Sequence, residues 1–171
     1  MARTSALLLL LFVSPALQAQ YVKPNEQIDY DAFVKNVAEV RGLREVRRIS
    51  EDEFIRMARE PGTVVLDARS ERLYRQRHIV GAVNLSFPEF TRDTLAAVIP
   101  SPATRVLIYC NNNFWGAPNS MPVKAVGSAL NLSTFVSLHT YGYRNVYELG
   151  PVVDIKKSKL AFAGEEVRRV D

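Results

Sequence analysis

The chain is poor in the residues that form covalent and metal cross-links. Its 171 residues include one cysteine and two histidines. A single cysteine excludes a disulfide within the chain, and Cys110, His78 and His139 lack the close spacing of metal ligands. We therefore expect neither a metal nor another cofactor, and the fold has to be stabilised by apolar residues, which make up 47% of the sequence.

The sequence also lacks a cluster of charges of one sign. The formal net charge is only +4, and acidic residues are interspersed among the basic residues of region 41–59. A nucleic-acid-binding surface needs basic residues concentrated on one face of the protein. The charge pattern therefore predicts solvated helix surfaces and no nucleic-acid partner.

Long hydrophobic runs are missing as well, except at the N-terminus. Arg3 precedes an apolar segment, 6–13, and small residues ending at Ala19 follow it. This layout is typical of a secretory signal peptide, and the apolar run is too short to cross a bilayer as a helix. We predict that 1–19 is a signal peptide and that the mature protein is periplasmic or secreted, with no stable membrane insertion after cleavage. An uncleaved membrane anchor is the alternative.

Beyond this segment, helical and strand patterns alternate along the chain. Apolar residues at helical spacing and turn signals predict helices over 28–41, 51–60, 71–77, 87–99 and 132–141. Apolar, largely β-branched runs predict strands over 44–50, 63–69, 105–110 and 144–149, and the run 78–85 predicts a turn followed by a brief strand. The alternation predicts an α/β fold with a mostly parallel sheet.

Cys110 lies at the end of one predicted strand, in the sequence LIYCNNNFWG. Ligands of parallel sheets bind beyond the carboxyl ends of the strands, so this position favours a nucleophile. Export favours the same interpretation, because an exposed thiol is a liability in an oxidising compartment unless it has a function. The alternative is a small, buried core residue.

Two stretches together resemble the rhodanese-like (sulfurtransferase) family. VVLDARSERLYRQRHIVGAVNLSF is similar to the family's strand ending in Asp-x-Arg, its short helix and its His-Ile-x-Gly-Ala-x-Asn turn. RVLIYC, with YGYRNVYEL downstream, is similar to the catalytic-cysteine strand and the final strand. The matching residues of the first stretch are Asp67, Arg69, His78, Ile79, Gly81, Ala82 and Asn84.

The resemblance implies a fold and a domain organisation. The fold is α/β and rhodanese-like, a mostly parallel five-stranded sheet with helices on both faces. The domain would cover 46–153, after an N-terminal extension with a helix, 20–45, and before a C-terminal tail, 154–171.

The resemblance also implies a chemistry, in which Cys110 accepts a sulfane sulfur as a persulfide and passes it on. The partners would be a small sulfur-containing donor and a thiol or protein acceptor. The thiolate is the attacking species, and backbone N–H groups with a helix N-terminus behind them can stabilise it. Asp67, Arg69 and His78 are interpreted as supporting residues that hold the fold through buried hydrogen bonds.

The segment after Cys110 departs from the family pattern. The family has a short loop and then an Arg-Ser pair at the start of a helix, but here no arginine follows until Arg144. We place the extra residues at 111–130, with the helix starting near Asn131 and capped by Asn131 or Ser133. A second alignment starts the helix at Pro122, with a kink at Gly127.

Residues of this inserted segment are the candidates for the sulfur cradle and for substrate binding. The candidates are Asn111, Asn112, Asn113, Phe114, Trp115, Gly116 and Lys124. The asparagines either donate N–H groups to an anion or only form turns. The exposed-looking Phe114–Trp115 pair either walls a pocket and docks a partner or forms the packing core of the loop. Lys124 faces either an anionic donor or solvent.

A second function is consistent with the missing arginine. The protein would then be a non-catalytic rhodanese-like binding module that uses the loop 111–130. A cysteine phosphatase is disfavoured, because its chemistry requires an arginine shortly after the cysteine to hold the oxyanion.

Overall fold

The structure is a computed structural model that describes residues 22–167, so the predicted signal peptide lies outside the described residues. The helices are α1 (Tyr30–Arg47), α2 (Glu51–Ala58), α3 (Glu71–Gln76), α4 (Arg92–Val98) and α5 (Leu130–Thr140). The strands are β1 (Arg48–Ile49), β2 (Thr63–Asp67), β3 (His78–Ile79), β4 (Val83–Asn84), β5 (Arg105–Tyr109), β6 (Phe114–Trp115), β7 (Val146–Leu149), β8 (Val153–Asp154) and β9 (Phe162–Ala163). Within residues 22–167, no helix combines the length and the apolar character needed to cross a membrane.

Five strands form one parallel sheet in the order β1–β7–β5–β2–β4. The central strand β5 pairs with β2 on one side and with β7 on the other. Its side chains alternate between two cores: Val106 and Ile108 pack with α1, α4 and α5, whereas Leu107 and Tyr109 pack with α2. Burial on both faces explains the continuous apolar run of β5, and the predicted α/β fold with helices on both faces is confirmed.

The first helix is longer than predicted. It continues through Gly42 to Arg47, and the strand expected over 44–50 is reduced to Arg48–Ile49. A glycine inside a helix costs about 1 kcal/mol, but Val40 and Leu43 pack against the core on either side of it. Tertiary packing therefore overrides the local stop signal.

The helix predicted over 87–99 is also wrong in its first part. A 3-10 turn over Phe87–Glu89 precedes α4, which begins only at Arg92. Thr91 caps α4 by accepting a hydrogen bond from the Thr94 N–H at 3.2 Å. The N-cap geometry of Thr91 thus separates the two segments.

The C-terminal segment packs on the domain. β8 pairs with β6 of the inserted segment, and β9 pairs with β3. Leu160 lies between these strands in the chain and is buried in the core beside α2. Residues that follow β7 in the chain therefore contact both the inserted segment and the strand that follows α3.

A buried ion pair joins the carboxyl end of β2 to its surroundings. The Asp67 carboxylate accepts hydrogen bonds from Arg69 Nε at 2.9 Å, from Arg69 Nη2 at 2.5 Å and from the Tyr109 hydroxyl at 2.6 Å. Arg69 Nη1 donates to the carbonyl of Ser120 at 2.9 Å, and Nη2 donates to the carbonyl of Arg77 at 2.7 Å. Both charges are buried and heavily hydrogen-bonded, as a buried pair must be to offset its desolvation.

Replacing Arg69 with alanine is expected to destabilise the protein strongly, because it leaves the Asp67 carboxylate buried without its cation. The expected loss in the free energy of unfolding is about 3–5 kcal/mol, measured by urea denaturation. Arg75→Ala is the matched control: Arg75 forms an exposed ion pair with Glu71, and its loss should cost less than about 1 kcal/mol. Equal losses for the two variants would contradict this role for the buried pair.

Candidate active site

Cys110 follows β5 directly and is almost completely buried, with 1% of its surface exposed. The backbone N–H groups of Asn112, Leu130 and Asn131 act on its sulfur and lower the pKa of the thiol. Leu130 and Asn131 are the first residues of α5, and the N–H groups of a first helical turn have no partner within the helix. These donors and the positive end of the helix dipole favour negative charge on the sulfur.

The pKa of the Cys110 thiol reflects two opposing effects. Burial raises the pKa above that of an ordinary cysteine, and the charge of Glu148 raises it further. The three N–H groups lower the pKa but do not offset burial. The resting sulfur at neutral pH is therefore predominantly the protonated thiol.

Glu148 is a site residue that the sequence analysis did not identify. It lies in β7 opposite Ile108, and Cys110, two residues beyond Ile108, projects to the same face of the sheet. Its Oε1 accepts a hydrogen bond from Arg44 Nε at 2.9 Å and forms an ion pair with Arg44 Nη2 at 2.7 Å. Among the described residues, no group donates to its Oε2. Burial raises the pKa of Glu148, and Arg44 opposes that effect.

Asn113 holds the backbone of the cysteine in place. Its Oδ1 accepts from the Cys110 N–H at 2.9 Å and from Asn131 Nδ2 at 3.1 Å. Its Nδ2 donates to the carbonyl of Leu149 at 2.7 Å. The side chain of Asn113 therefore connects β5, α5 and β7, which fits the structural one of the two interpretations offered for the asparagines.

Asn111 and Lys124 border a pocket of about 260 Å³ next to the cysteine, here called the strand-end pocket. Leu130 and Phe87 also line this pocket. Asn111 Oδ1 accepts a long hydrogen bond of 3.4 Å from Arg69 Nη1, whereas its Nδ2 donates to no group in the described chain. Asn111 thus keeps an amide donor beside the pocket.

Asn112 places Lys124 at the rim of the strand-end pocket. The Asn112 side chain donates from Nδ2 to the Lys124 carbonyl at 2.8 Å and accepts from the Lys124 N–H at 3.1 Å. These two hydrogen bonds join the middle of the inserted segment to the residues that directly follow Cys110. The Lys124 side chain remains exposed.

Phe114 and Trp115 lie in different environments, so neither interpretation of the pair applies to both residues. Phe114 is buried and packs edge-to-face against Tyr109 and Phe162, with ring centroids 6.1 and 5.4 Å apart. Trp115 is 55% exposed. The two residues form β6, in which successive side chains point to opposite sides, so one packs in the core and the other faces solvent.

Gly116 supports the turn after β6. Its φ is +88°, a left-handed conformation that glycine adopts without strain. A Cβ at this position would lie 3.4 Å from Ile155 Cγ2. The described contacts of Gly116 are thus with the C-terminal segment.

The inserted segment ends where the first alignment placed it, because α5 begins at Leu130. The second alignment is wrong, since the region of Pro122 is irregular and only a 3-10 turn, Val126–Ser128, precedes α5. The predicted helix caps are also wrong: Ala129 occupies the N-cap position and makes no side-chain hydrogen bond.

The two histidines lie in structural contacts. His78 Nδ1 is 2.8 Å from the carbonyl of Tyr74, and the two rings stack at 3.9 Å. His139 is buried on α5, with Nε2 at 2.8 Å from Glu39 Oε2. His139 therefore connects α5 to α1.

Comparisons with known proteins agree with this arrangement of strands and helices. The BH2092 protein from Bacillus halodurans has a similar structure, with a TM-score of 0.51 and 19% sequence identity over 77% of this chain and 88% of that chain. Hp1203 from Helicobacter pylori has a TM-score of 0.46 and 23% identity over 72% of this chain and 94% of that chain. A rhodanese with anions from E. coli has a TM-score of 0.40 and 21% identity over 60% of this chain and 99% of that chain.

At such identities a structural likeness shows the fold alone. A search of curated proteins found no match. The sequence model of the rhodanese-like domain, however, matches residues 50–149, which is more than half of the chain. The chain therefore belongs to the rhodanese-like domain family.

Proposed function

We propose that the protein is a sulfurtransferase that carries a sulfane sulfur as a persulfide on Cys110. The observation that supports this function best is the position of Cys110 at the carboxyl end of β5 and beside the first residues of α5, whose backbone N–H groups lower the pKa of the thiol. Such a set of donors stabilises an anionic sulfur without a charged side chain. A core cysteine with no role in chemistry has no need of it.

The transfer step requires a sulfur donor and no other reagent. The Cys110 thiolate attacks the outer sulfur of the donor, the sulfur–sulfur bond of the donor breaks, and the leaving group departs with the electron pair. Asn111 Nδ2 and the ammonium group of Lys124 are available to an anionic donor in the strand-end pocket. The acceptor then removes the outer sulfur and regenerates the Cys110 thiolate.

Access to the sulfur is limited in the resting structure. Cys110 does not itself line the strand-end pocket, whereas its neighbours Asn111 and Leu130 do. Because only 1% of the surface of Cys110 is exposed, a donor in this pocket reaches Sγ only after a local movement of the structure. The pocket volume of about 260 Å³ is suited to a small donor.

One observation favours a second function, that of a non-catalytic binding module using the loop 111–130. Trp115 is exposed on this loop, and exposed aromatic residues are common in protein interfaces. The buried thiol with its raised pKa is also compatible with an inert cysteine.

Export is part of the proposal. The N-terminal layout of a basic residue, an apolar run and small residues before Gln20 supports cleavage after Ala19. The protein would then act in the periplasm or outside the cell.

Incubation of the mature protein with thiosulfate or with glutathione persulfide is expected to add one sulfur atom to Cys110, because the N–H groups around Sγ stabilise the persulfide anion. Intact mass spectrometry detects the adduct. Cys110→Ser is the matched control and should remain unmodified. Absence of the adduct with both donors, or a Cys110→Ser variant that retains every measurable function, would favour the binding module.

Glu148→Gln is expected to make Cys110 more reactive at neutral pH. The substitution removes the charge that raises the pKa of the thiol and keeps an oxygen that can accept from Arg44. Alkylation by iodoacetamide follows the thiolate population, so the rate at pH 7 should increase about three- to tenfold, and the midpoint of the pH profile should move to lower pH.

Glu45→Gln is the control for this effect, since it removes a negative charge from an exposed position of α1 and should leave the rate unchanged. A slower or unchanged Glu148→Gln variant, with a normal unfolding transition, would show that Glu148 does not control the ionisation of the thiol.

Leu9→Arg is expected to block export, because a charge in the middle of the apolar run prevents its insertion. Full-length protein produced in a Gram-negative host should then stay in the cytoplasm as an unprocessed precursor, as judged by fractionation and N-terminal sequencing. The conservative variant Thr4→Ser should be exported with Gln20 as its first residue. An unprocessed but membrane-bound Thr4→Ser protein would instead support the uncleaved anchor.

A further inference from the structure

An apolar groove runs between α1 and α5 on the outer surface of the domain. Phe33 and Val37 of α1 and Leu132 and Val136 of α5 are among its lining residues, and its volume is about 440 Å³. We call it the α1–α5 groove. Neither the resemblance of the sequence nor the sulfur chemistry at Cys110 assigns a role to it.

The banks of the groove are themselves apolar and exposed. On α1, 54% of the surface of Phe33 is exposed, and Val34 and Val37 are exposed beside it. On the opposite bank, Val126 of the insertion is 87% exposed and adjoins the lining residue Gly127. A pocket for a small molecule encloses most of its ligand, whereas a wide apolar surface with exposed banks is typical of a protein-binding site.

The charges at the groove are of one sign. Arg41 and Arg44 line it, and within the described chain no carboxylate is among its lining residues. The charge of Arg44 is compensated by its ion pair with Glu148. Arg41 is exposed at the edge, and Lys124 lies at the rim of the adjoining strand-end pocket. A partner that complements this surface carries carboxylates beside its apolar residues.

The groove adjoins the candidate active site. Phe87 lines both the α1–α5 groove and the strand-end pocket. The helix α5 also borders both, because Leu130 lines the strand-end pocket whereas Leu132 and Val136 line the groove. A molecule seated in the groove therefore lies beside the residues that border the pocket next to Cys110.

We propose that the α1–α5 groove is the docking site of a protein sulfur acceptor that presents an acidic amphipathic helix. The lining residues of α1 extend from Phe33 to Arg44, a distance of about 16 Å along the helix axis, which matches about three turns of a docked helix. Helix-in-groove binding uses apolar anchors at this spacing. The identity of the acceptor rests on the function proposed for Cys110, whereas the binding itself does not.

The transfer to such an acceptor balances without a further reagent. The thiolate of the acceptor attacks the outer sulfur of the Cys110 persulfide, and the bond between that sulfur and Sγ breaks. Cys110 leaves as a thiolate, and the acceptor becomes the persulfide. The groove contributes by raising the local concentration of the acceptor thiol beside the strand-end pocket.

Two synthetic helical peptides provide the probe. Both carry a leucine stripe and one terminal cysteine; the first has glutamates and the second has lysines beside the stripe. Val37→Glu and Arg41→Glu alter the groove. Val46→Glu is the matched control, because Val46 lies on the same helix, is 77% exposed and does not line the groove.

The glutamate peptide should bind the unaltered protein at least tenfold more tightly than the lysine peptide, measured by fluorescence anisotropy. Val37→Glu should weaken this binding at least tenfold, Arg41→Glu should shift the preference toward the lysine peptide, and Val46→Glu should change neither. In mass-spectrometric transfer assays, Val37→Glu should slow sulfur transfer from loaded Cys110 to the glutamate peptide about tenfold. Loading by thiosulfate and transfer to dithiothreitol should stay unchanged.

Several results would overturn the groove proposal. The first is equal affinity of the protein for the two peptides. The second is an equal loss of affinity for the glutamate peptide in Val37→Glu and Val46→Glu. The third is self-association of the protein that Val37→Glu abolishes, while neither peptide binds. Binding to anionic lipid vesicles in place of the glutamate peptide would also overturn it. If Cys110 fails to accept sulfur, the anisotropy experiment still decides whether the groove binds the acidic helix, so the two proposals fail separately.

Discussion

The Asp67 carboxylate is the polar group on which the carboxyl edge of the sheet depends. It binds Arg69 and the Tyr109 hydroxyl, and that hydroxyl in turn accepts from the N–H of Ile79 at 3.2 Å. Arg69 then reaches the carbonyl of Ser120 in the insertion. Through these hydrogen bonds, one buried charge connects β2, β5, β3 and the inserted segment. In a low-dielectric interior, such a network is stable only when each member is satisfied.

The environment of Cys110 combines two physical demands that oppose each other. Burial excludes water and restricts access to the sulfur, but it also disfavours the thiolate. The N–H groups of Asn112, Leu130 and Asn131 supply part of the compensation. Among the described residues no arginine contributes to this compensation, although the family pattern has one at the start of the corresponding helix. The charged side chain that acts on the sulfur is instead Glu148, whose negative charge raises the pKa of the thiol. The surroundings of Cys110 therefore favour the protonated thiol in the resting structure.

The sequence was sufficient to predict the parts of the fold that local pattern determines. The runs 63–67 and 105–109 are continuously apolar, as strands covered on both faces have to be, and Cys110 stands at a strand end as expected. The start of α5 near residue 130 was also predictable, because the resemblance placed the extra residues at 111–130, directly before the helix. These features depend on residues close to one another in the sequence.

The parts that failed depend on contacts between distant residues. The extension of α1 beyond Gly42 requires the core beneath it, and the structural role of Asn113 requires Asn131 and the carbonyl of Leu149. The role of Glu148 was hard to predict, because the only sign of it in the sequence is an acidic residue within an otherwise largely apolar strand. The different environments of Phe114 and Trp115 follow from the alternation of side chains along β6. This strand has only two residues, which pair with Val153–Asp154, so the alternation is too short to be recognised in the sequence.

The pairing of β6 with β8 has a consequence for the order in which the domain can be assembled. Residues 153–163 contact the inserted segment and the strand after α3, yet they are synthesised after every strand with which they pair. A nascent chain therefore lacks the partners of β3 and β6 until β8 and β9 have been made. The inserted segment beside Cys110 can acquire its cross-strand hydrogen bonds only after the central sheet strand β7 has been translated.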